Sequence, residues 1–290
     1  MSWLNAIIQG ILLGGVYALF AVGLSLVFGT MRLVNLAHGD LIVLSSYVAF
    51  LIVDSIGFNP FYAIPITMVI MFAFGYALQR GLLNRIVQKS DVIGVIVTFG
   101  LSIVIVNAMQ QAFTANYKDM NVGKIETLSI TVNDQLIIGW LPLIFFILSV
   151  VVVAALQLYM GRTKMGRAFR AISDDTDAAR LMGVNTKHVW AMAMAVALLI
   201  VSIAGVMMGI RSNFNPTLGT ERLIFAFEAV IIGGMGSGWG TMLGGVILGV
   251  AQLVGAKWLG PGWQVVSGHV VFVLILVLRP QGFLAKTVTT

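Results

Sequence analysis

The sequence predicts an all-α fold, a polytopic membrane bundle of about eight to nine helical spans. Composition points there first: the 290 residues are 59% hydrophobic and only 10% charged, against about 25% charged and 45–50% apolar in a soluble domain. Its 17 basic and 11 acidic residues are too few to cover a water-soluble surface of this size. The charges are also confined, leaving long charge-free runs of helical length. Those runs lack the polar–apolar alternation of barrel strands. Soluble enzymes, DNA-binding proteins, disulfide-stapled domains and disordered chains are thereby excluded. The absence of Cys removes thiol chemistry and Cys-based metal sites, and leaves the redox compartment undetermined.

A helix needs roughly 20 apolar residues to cross ~30 Å of hydrocarbon. Residues 1–31, 55–79, 92–117, 135–161, 188–210 and 229–256 carry no Asp, Glu, Lys or Arg, and further apolar runs occupy 41–53 and 258–278. Met1-Ser2-Trp3-Leu4-Asn5 lacks the basic start of a signal peptide, so the first run is expected to be retained as a span. The 41–53 run is short and must borrow flanking residues or form a half-helix. The run from 229 is interrupted by Gly233-Gly234-Met235-Gly236-Ser237-Gly238-Trp239-Gly240, either a turn between two spans or a break within one. Glycine this dense destabilises an uninterrupted helix, and irregular backbone must face protein or water rather than lipid. The chain is read as one transmembrane unit, 1–290, that includes a cytoplasmic segment at 162–187.

Orientation follows the loop cations. Segments 80–91 and 162–187 are the basic ones; placing both in the cytoplasm, with Arg32, Arg279 and Lys286, puts 12 of the 17 cations inside. The N-terminus is then outside and the C-terminus inside. Lys118, Lys124, Arg211, Arg222 and Lys257 remain on the other face. Dispersed along the chain, these cations read as a topology signal with no nucleic-acid footprint. Loop 115–136 holds no catalytic constellation and reads as a solvated connector.

Glycines recur at four-residue spacing, as in Gly10 and Gly14, Gly205 and Gly209, and Gly245 and Gly249. Small residues so placed let helix backbones approach closely in lipid. Shifting the sequence by 180 residues aligns Gly29, Asn35 and Gly39 with Gly209, Asn215 and Gly219, which raises an internal repeat without deciding it. In transporters, substrate paths lie near repeat interfaces and broken helices.

The most telling segment is Gly166–Gly183. It reads as one short helix closed by Gly183, with Phe169, Ile172, Ala179 and Met182 near one face and Arg167, Arg170, Asp174, Asp177 and Arg180 over much of the rest. A lipid-surface helix favours an all-basic polar face; mixed charge suits a protein partner.

Asp177-Ala178-Ala179-x-x-x-Gly183 resembles the Glu-Ala-Ala-x-x-x-Gly element of ABC importer permeases, with Asp for Glu. The longer run Gly-Arg-Ala-x-Arg-Ala-x-x-x-Asp from Gly166 is similar to the permeases for branched-chain amino acids. So are Gly29-x-x-Arg32-x-x-Asn35-Leu36-Ala37-His38-Gly39-Asp40 with Tyr47, and Glu228-Ala229-Val230-Ile231-Ile232-Gly233-Gly234-Met235-Gly236-Ser237-x-x-Gly240. The resemblance runs from end to end and is closest to the shorter of that family's two permeases. The departure lies after Gly183, where the Ile-x-Leu-Pro end of the general importer motif is absent.

This resemblance implies a subunit of the bacterial inner membrane. A second related permease would share the path, two ATPase subunits using ATP and Mg would drive it, and an extracytoplasmic binding protein would deliver the solute. Membrane lipid is the remaining partner, and no nucleic acid is expected. Arg167, Ala168, Arg170, Asp174, Asp177, Ala178, Ala179 and Gly183 would form the ATPase-coupling element. The chain itself has no Gly-x-x-x-x-Gly-Lys-Ser/Thr loop; Gly123-Lys124 is followed by Ile125. No catalytic residue, metal or cofactor of its own is expected. An enzyme reading would need Asp174-Asp175-x-Asp177 as a metal–phosphate site, but such sites draw oxygen ligands from more than one segment. A stand-alone channel would leave the docking helix without a role.

Arg32, Asn35, His38, Gly39 and Asp40, with Asn215, Glu228, Gly233, Gly234 and Gly236, are candidates either for lining the path or for bracing it. Polar groups at this depth are costly unless paired or hydrated. Arg32 with Asp40 is one candidate ion pair. Arg222 lies six residues from Glu228, too far for a helical pair, so any partner of Glu228 lies on another segment; His269 should hydrogen-bond a neighbouring helix. A branched aliphatic substrate asks for apolar walls and a few polar groups, which half-helix ends supply. Urea or short amides remain the alternative substrates.

Overall fold

A computed structural model describes residues 2–57, 59–87, 89, 91–133 and 136–284. Lys286, one of the cations counted toward the cytoplasmic tail, lies outside the described residues. The helices are α1 (Trp3–Met31), α2 (His38–Ile56), α3 (Pro60–Gly81), α4 (Asp91–Phe113), α5 (Trp140–Arg162), α6 (Lys164–Asp174), α7 (Thr176–Leu181), α8 (Thr186–Arg211), α9 (Gly219–Gly233), α10 (Gly238–Leu259) and α11 (Gln264–Leu278). Among the described residues eight segments are long and apolar enough to cross a membrane. The short 41–53 run borrows residues at both ends to make α2. The glycine-rich interruption is a turn between α9 and α10, with Gly234 at φ 98° and Gly236 at φ 81°. With only 15 residues, α9 is too short to span alone.

Helices α1 and α8 form the buried centre, and α3, α4 and α11 present apolar side chains such as Val69, Val104 and Val277 outward. In lipid the outward face can be as apolar as the core, so amphipathicity does not sort these helices. Close backbone approach does. Gly10 and Gly14 face the Val250 and Val246 backbone, while Gly245 and Gly249 face Gly14 and Gly10, so that α1 and α10 run antiparallel with no room for a Cβ between them. On the other side of the centre, Ser45 and Ser46 of α2 donate to the carbonyls of Val201 and Gly205 at 3.2 and 2.7 Å. Hydroxyls satisfied on a neighbouring backbone are the usual polar glue between membrane helices.

Trp3, Trp140, Trp258 and Trp263 are exposed at the end of the bundle opposite α6 and α7, and Lys257 sits 4.4 Å over the Trp3 ring. Aromatic and basic anchors of this kind mark a membrane–water boundary. The loop read as a solvated connector is partly built into the fold. It pairs Lys118 with Phe214, buries Met120, and carries a two-stranded antiparallel hairpin, β1 (Ser129–Asn133) and β2 (Leu136–Gly139). The Phe214 ring, fully buried, is the physical reason: it draws residues 118–120 over the end of α8. At the other end Phe283 and Leu284 donate their backbone N–H groups to Ile232 and Gly233 at 2.9 and 3.0 Å. They satisfy carbonyls that the end of α9 would otherwise leave open.

Candidate functional site

Helix α1 ends at Arg32, whose φ of 51° is left-handed and turns the chain sharply. The chain then re-enters the bundle. Leu36 N–H donates to Thr98 Oγ1 of α4 at 3.2 Å, and Thr98 in turn donates to the Gly94 carbonyl at 2.9 Å. Asn35 is fully buried and accepts from the Ala37 N–H at 3.1 Å, forming a local turn that starts α2. His38, the first residue of α2, bonds through Nε2 to the Phe20 carbonyl of α1 at 2.7 Å. Because Phe20 lies well inside α1, α2 begins inside the bundle rather than at its surface.

A second re-entrant turn mirrors the first. After α8 the chain passes Asn215, which accepts from the Thr217 N–H at 3.1 Å, and α9 starts at Gly219. The starts of α2 and α9 meet. A Cβ on Gly39 would collide with the Gly219 carbonyl oxygen, and a Cβ on Gly219 would collide with the Asp40 carboxylate. Asp40 is buried, hydrogen-bonded by Ser102 of α4, and lies against the first residue of α9. A carboxylate at a helix start is favoured by the partial positive charge of the unpaired N–H groups there. The two stretches matched by the 180-residue shift thus occupy equivalent places: each follows a buried central helix, turns on an Asn and opens a helix inside the bundle. As α2 and α8 run parallel through the Ser45–Val201 and Ser46–Gly205 bonds, the α1–α2 and α8–α9 units point in opposite directions.

At the far end of α9, Gly233 packs without a Cβ against Gly240, and Gly236 faces Gly29. Glu228 is buried and bonds through Oε1 to Nδ1 of His269 on α11. Arg222 pairs with its neighbour Glu221 at 3.4 Å. Arg32 is exposed and, among the described residues, forms no ion pair with Asp40. The bracing pair weighed from the sequence is replaced by Asp40 with Ser102, because the re-entrant turn carries Asp40 into the bundle while Arg32 stays at its edge. Arg32 instead lines a cavity of about 530 Å³ with Ser25, Thr30, Arg170, Ser173 and Gly236.

The segment between α5 and α8 is two helices, not one. Asp175 leaves helical geometry at φ −150° and caps α7, accepting from the Asp177 and Ala178 N–H groups at 2.9 Å each. A side chain that offers the backbone an alternative partner breaks a helix in this way. Phe169, Ile172 and Ala179 are buried against the bundle, and Ala168 is half-buried beside them. Arg170 donates to the Met160 carbonyl, and Ser173 donates to the Gly29 carbonyl at 2.5 Å. Arg167, Asp174, Asp177 and Ala178 are exposed. Arg180 pairs with Asp177 at 3.5 Å and lies 5.8 Å over the Trp190 ring of α8. Gly183, at φ 82°, closes the segment with its N–H on the Arg180 carbonyl. Met182, expected on the buried face, is 85% exposed beside Leu181 at 90%. The break at Asp175 rotates α7 relative to α6 and turns both outward.

Residues 6–278 match the family model described as the branched-chain amino acid transport system permease component. The chain belongs to that permease family. It is similar to the high-affinity branched-chain amino acid transport system permease protein BraD of Pseudomonas aeruginosa, 29% identical over 98% of this chain and 96% of that one. Likeness to the permease protein LivH of Escherichia coli K12 is 28% over 99% and 96%. A probable LivH of Methanocaldococcus jannaschii is 25% identical over 95% and 91%. These relatives are transport permeases, and this family member is a multi-pass membrane protein.

Sequence reasoning missed two features of this permease. Thr98 and Ser102 hold the first re-entrant turn from α4, and the only trace they leave is a hydroxyl four residues from another inside a charge-free run. Leu181 and Met182 form an apolar tip on a polar segment, visible from the sequence only to a reading that placed the break at Asp175.

Proposed function

We propose that this chain is one of two permease subunits of a binding-protein-dependent ABC importer for branched-chain or other hydrophobic amino acids. The observation that carries the reading is the α6–α7 pair. Its inner face is fixed to the bundle by Phe169, Ile172 and the Arg170 and Ser173 bonds. Its tip offers Leu181 and Met182 to a partner, and the same two helices expose Arg167, Asp174, Asp177 and Arg180. Two exposed apolar side chains among mixed charges fit a protein groove better than a lipid surface. In this reading α6, α7 and the C-terminus face the cytoplasm of a bacterial inner membrane, and the pair sits on one of two ATPase subunits that bind ATP and Mg. An extracytoplasmic binding protein supplies the amino acid at the tryptophan-rich end, and a second, related permease completes the path.

Within this chain, work reaches the re-entrant turns by a short route. Ser173 bonds to Gly29, Gly29 packs on Gly236, and Gly236 closes the turn after α9. A displacement of α6 therefore acts on the end of α1 and the end of α9 together; α1 leads into the turn before Gly39, and α9 carries Gly219 at its other end. The test is purification in mild detergent through this chain. An ATPase pair and a second permease should accompany the wild type, and L181D with M182D should lose the ATPase while keeping the second permease. Retention of the ATPase by the double variant, or its absence from the wild type, would remove the docking assignment.

A further inference from the structure

At the tryptophan-rich end, a second cavity of about 270 Å³ opens between α1, the end of α8, the start of α9 and α10. Displaced water occupies ~30 Å³ per molecule, so the space holds roughly nine waters, or one solute the size of leucine. Leu13, Val16, Phe20 and Val265 give it apolar walls, while Tyr17, Gln252, Glu221, Arg222 and Arg211 supply polar groups. None of these five polar residues belongs to a motif quoted for the family resemblance.

The polar side chains there are only partly paired. Tyr17 donates its hydroxyl proton to Gln252 Oε1 at 2.7 Å, which fixes the amide and leaves its Nε2 as the free donor. Gln252 is fully buried, and its Nε2 has no partner among the described residues. The buried Nε of Arg222 has none either. Arg222 reaches Glu221 only at 3.4 Å, through Nη1, and its side chain is 16% exposed. Buried donors without acceptors are rare and costly. Both atoms are shut off from the cavity itself; what Arg222 and Arg211 give its lining is two guanidinium groups, a positive excess that a bound carboxylate balances. Glu221, half exposed, is the one acid among the lining residues.

We infer that this cavity receives an aliphatic α-amino acid. Its carboxylate is held by Arg222 and Arg211, its ammonium by Glu221, and its side chain by Leu13, Val16, Phe20 and Val265. The inference rests on the importer reading above and adds to it a substrate-receiving site within this subunit. A planar guanidinium fork matches a carboxylate better than it matches urea or a sugar hydroxyl. Phe225, tilted 34° at 4.9 Å from Tyr17 and stacked 6.2 Å from His269, lies between the cavity and the Glu228–His269 pair and keeps that acid from competing for the ammonium.

The test uses the Cys-free sequence. In the assembled transporter, V265C places one thiol of this chain at the cavity wall, and its rate of reaction with a small maleimide is followed with candidate ligands present. L-Leucine at about ten times its dissociation constant should slow labelling roughly tenfold, since occupancy cuts the rate by one plus the ratio of ligand concentration to Kd. Isoamylamine, isocaproate and urea should leave the rate near that of buffer. Arg222→Gln should abolish the protection and Arg222→Lys should restore part of it, with recovery of the intact complex on a sizing column showing that both variants fold. Protection that survives Arg222→Gln, or protection by isoamylamine or urea equal to that by leucine, overturns the site. Uptake by the complex carrying the unsubstituted chain separates the two levels. Leucine uptake without any protection removes the cavity assignment and leaves the importer standing; absence of uptake for every aliphatic amino acid removes both.

Discussion

The contact between the starts of α2 and α9 can be tested by adding one methyl group on each side of it. Gly39→Ala drives its new Cβ into the Gly219 carbonyl, and Gly219→Ala drives its own into the Asp40 carboxylate. Neither neighbour is a flexible tip: one is backbone, and the other is held by Ser102. The helix starts must therefore part until ordinary contact of 3.4–4 Å returns. Overpacking of this kind costs about 1–3 kcal/mol per site. The two costs are not independent, because the gap opened for one methyl accommodates the other. A coupling of about 0.5–3 kcal/mol, in the direction that makes the double variant cheaper than the sum, is expected for groups sharing one contact. Detergent-titration unfolding of the purified protein, run for wild type, both singles and the double, reads that coupling. Strict additivity, or singles that cost less than about 0.3 kcal/mol, would refute the meeting of α2 and α9 at this point.

Asp175→Ala removes the cap of α7 and should cost about 1 kcal/mol of local stability; faster hydrogen exchange at Asp177 and Ala178, with exchange in α8 unchanged, is the expected signature. His269→Ala strips Glu228 of its partner and leaves a buried carboxylate, a loss of about 1–3 kcal/mol in the same unfolding titration, and Glu228→Gln should recover part of it in the double variant. Gly14→Leu forces α1 and α10 apart along their whole antiparallel contact, so the protein should fail to accumulate in the membrane, whereas Gly100→Leu, which meets open space, should be tolerated; immunoblotting of membranes compares the two.

The spans were legible because their signal is a sum over many residues. Charge-free runs as long as 135–161 leave little choice in a bilayer, and α5 coincides with that run to within a residue at its C-terminal end. Their ends were harder to read. The run 41–53 could not show that α2 starts at His38, since its start depends on a bond to Phe20 eighteen residues earlier. Three residues at a 180-residue offset hinted at a repeat, yet what makes it physical is a contact between Gly39 and Gly219 that no local pattern encodes. Likewise the amphipathic pattern of 166–183 located its buried face correctly at Phe169, Ile172 and Ala179. It misplaced Met182, because periodicity assumes one continuous helix and Asp175 interrupts it. Gln252 and Tyr17 left no trace, since a single polar residue in an apolar run acquires meaning only from what the fold sets beside it.

The strap formed by Phe283 and Leu284 has a practical corollary. Fusing a reporter or affinity handle directly after residue 284 loads the two amides that finish α9, and deleting that stretch bares the Ile232 and Gly233 carbonyls within the bundle. Handles for isolating the protein therefore belong at the other terminus, ahead of Ser2, whose side chain already seals the first helix by accepting from Asn5.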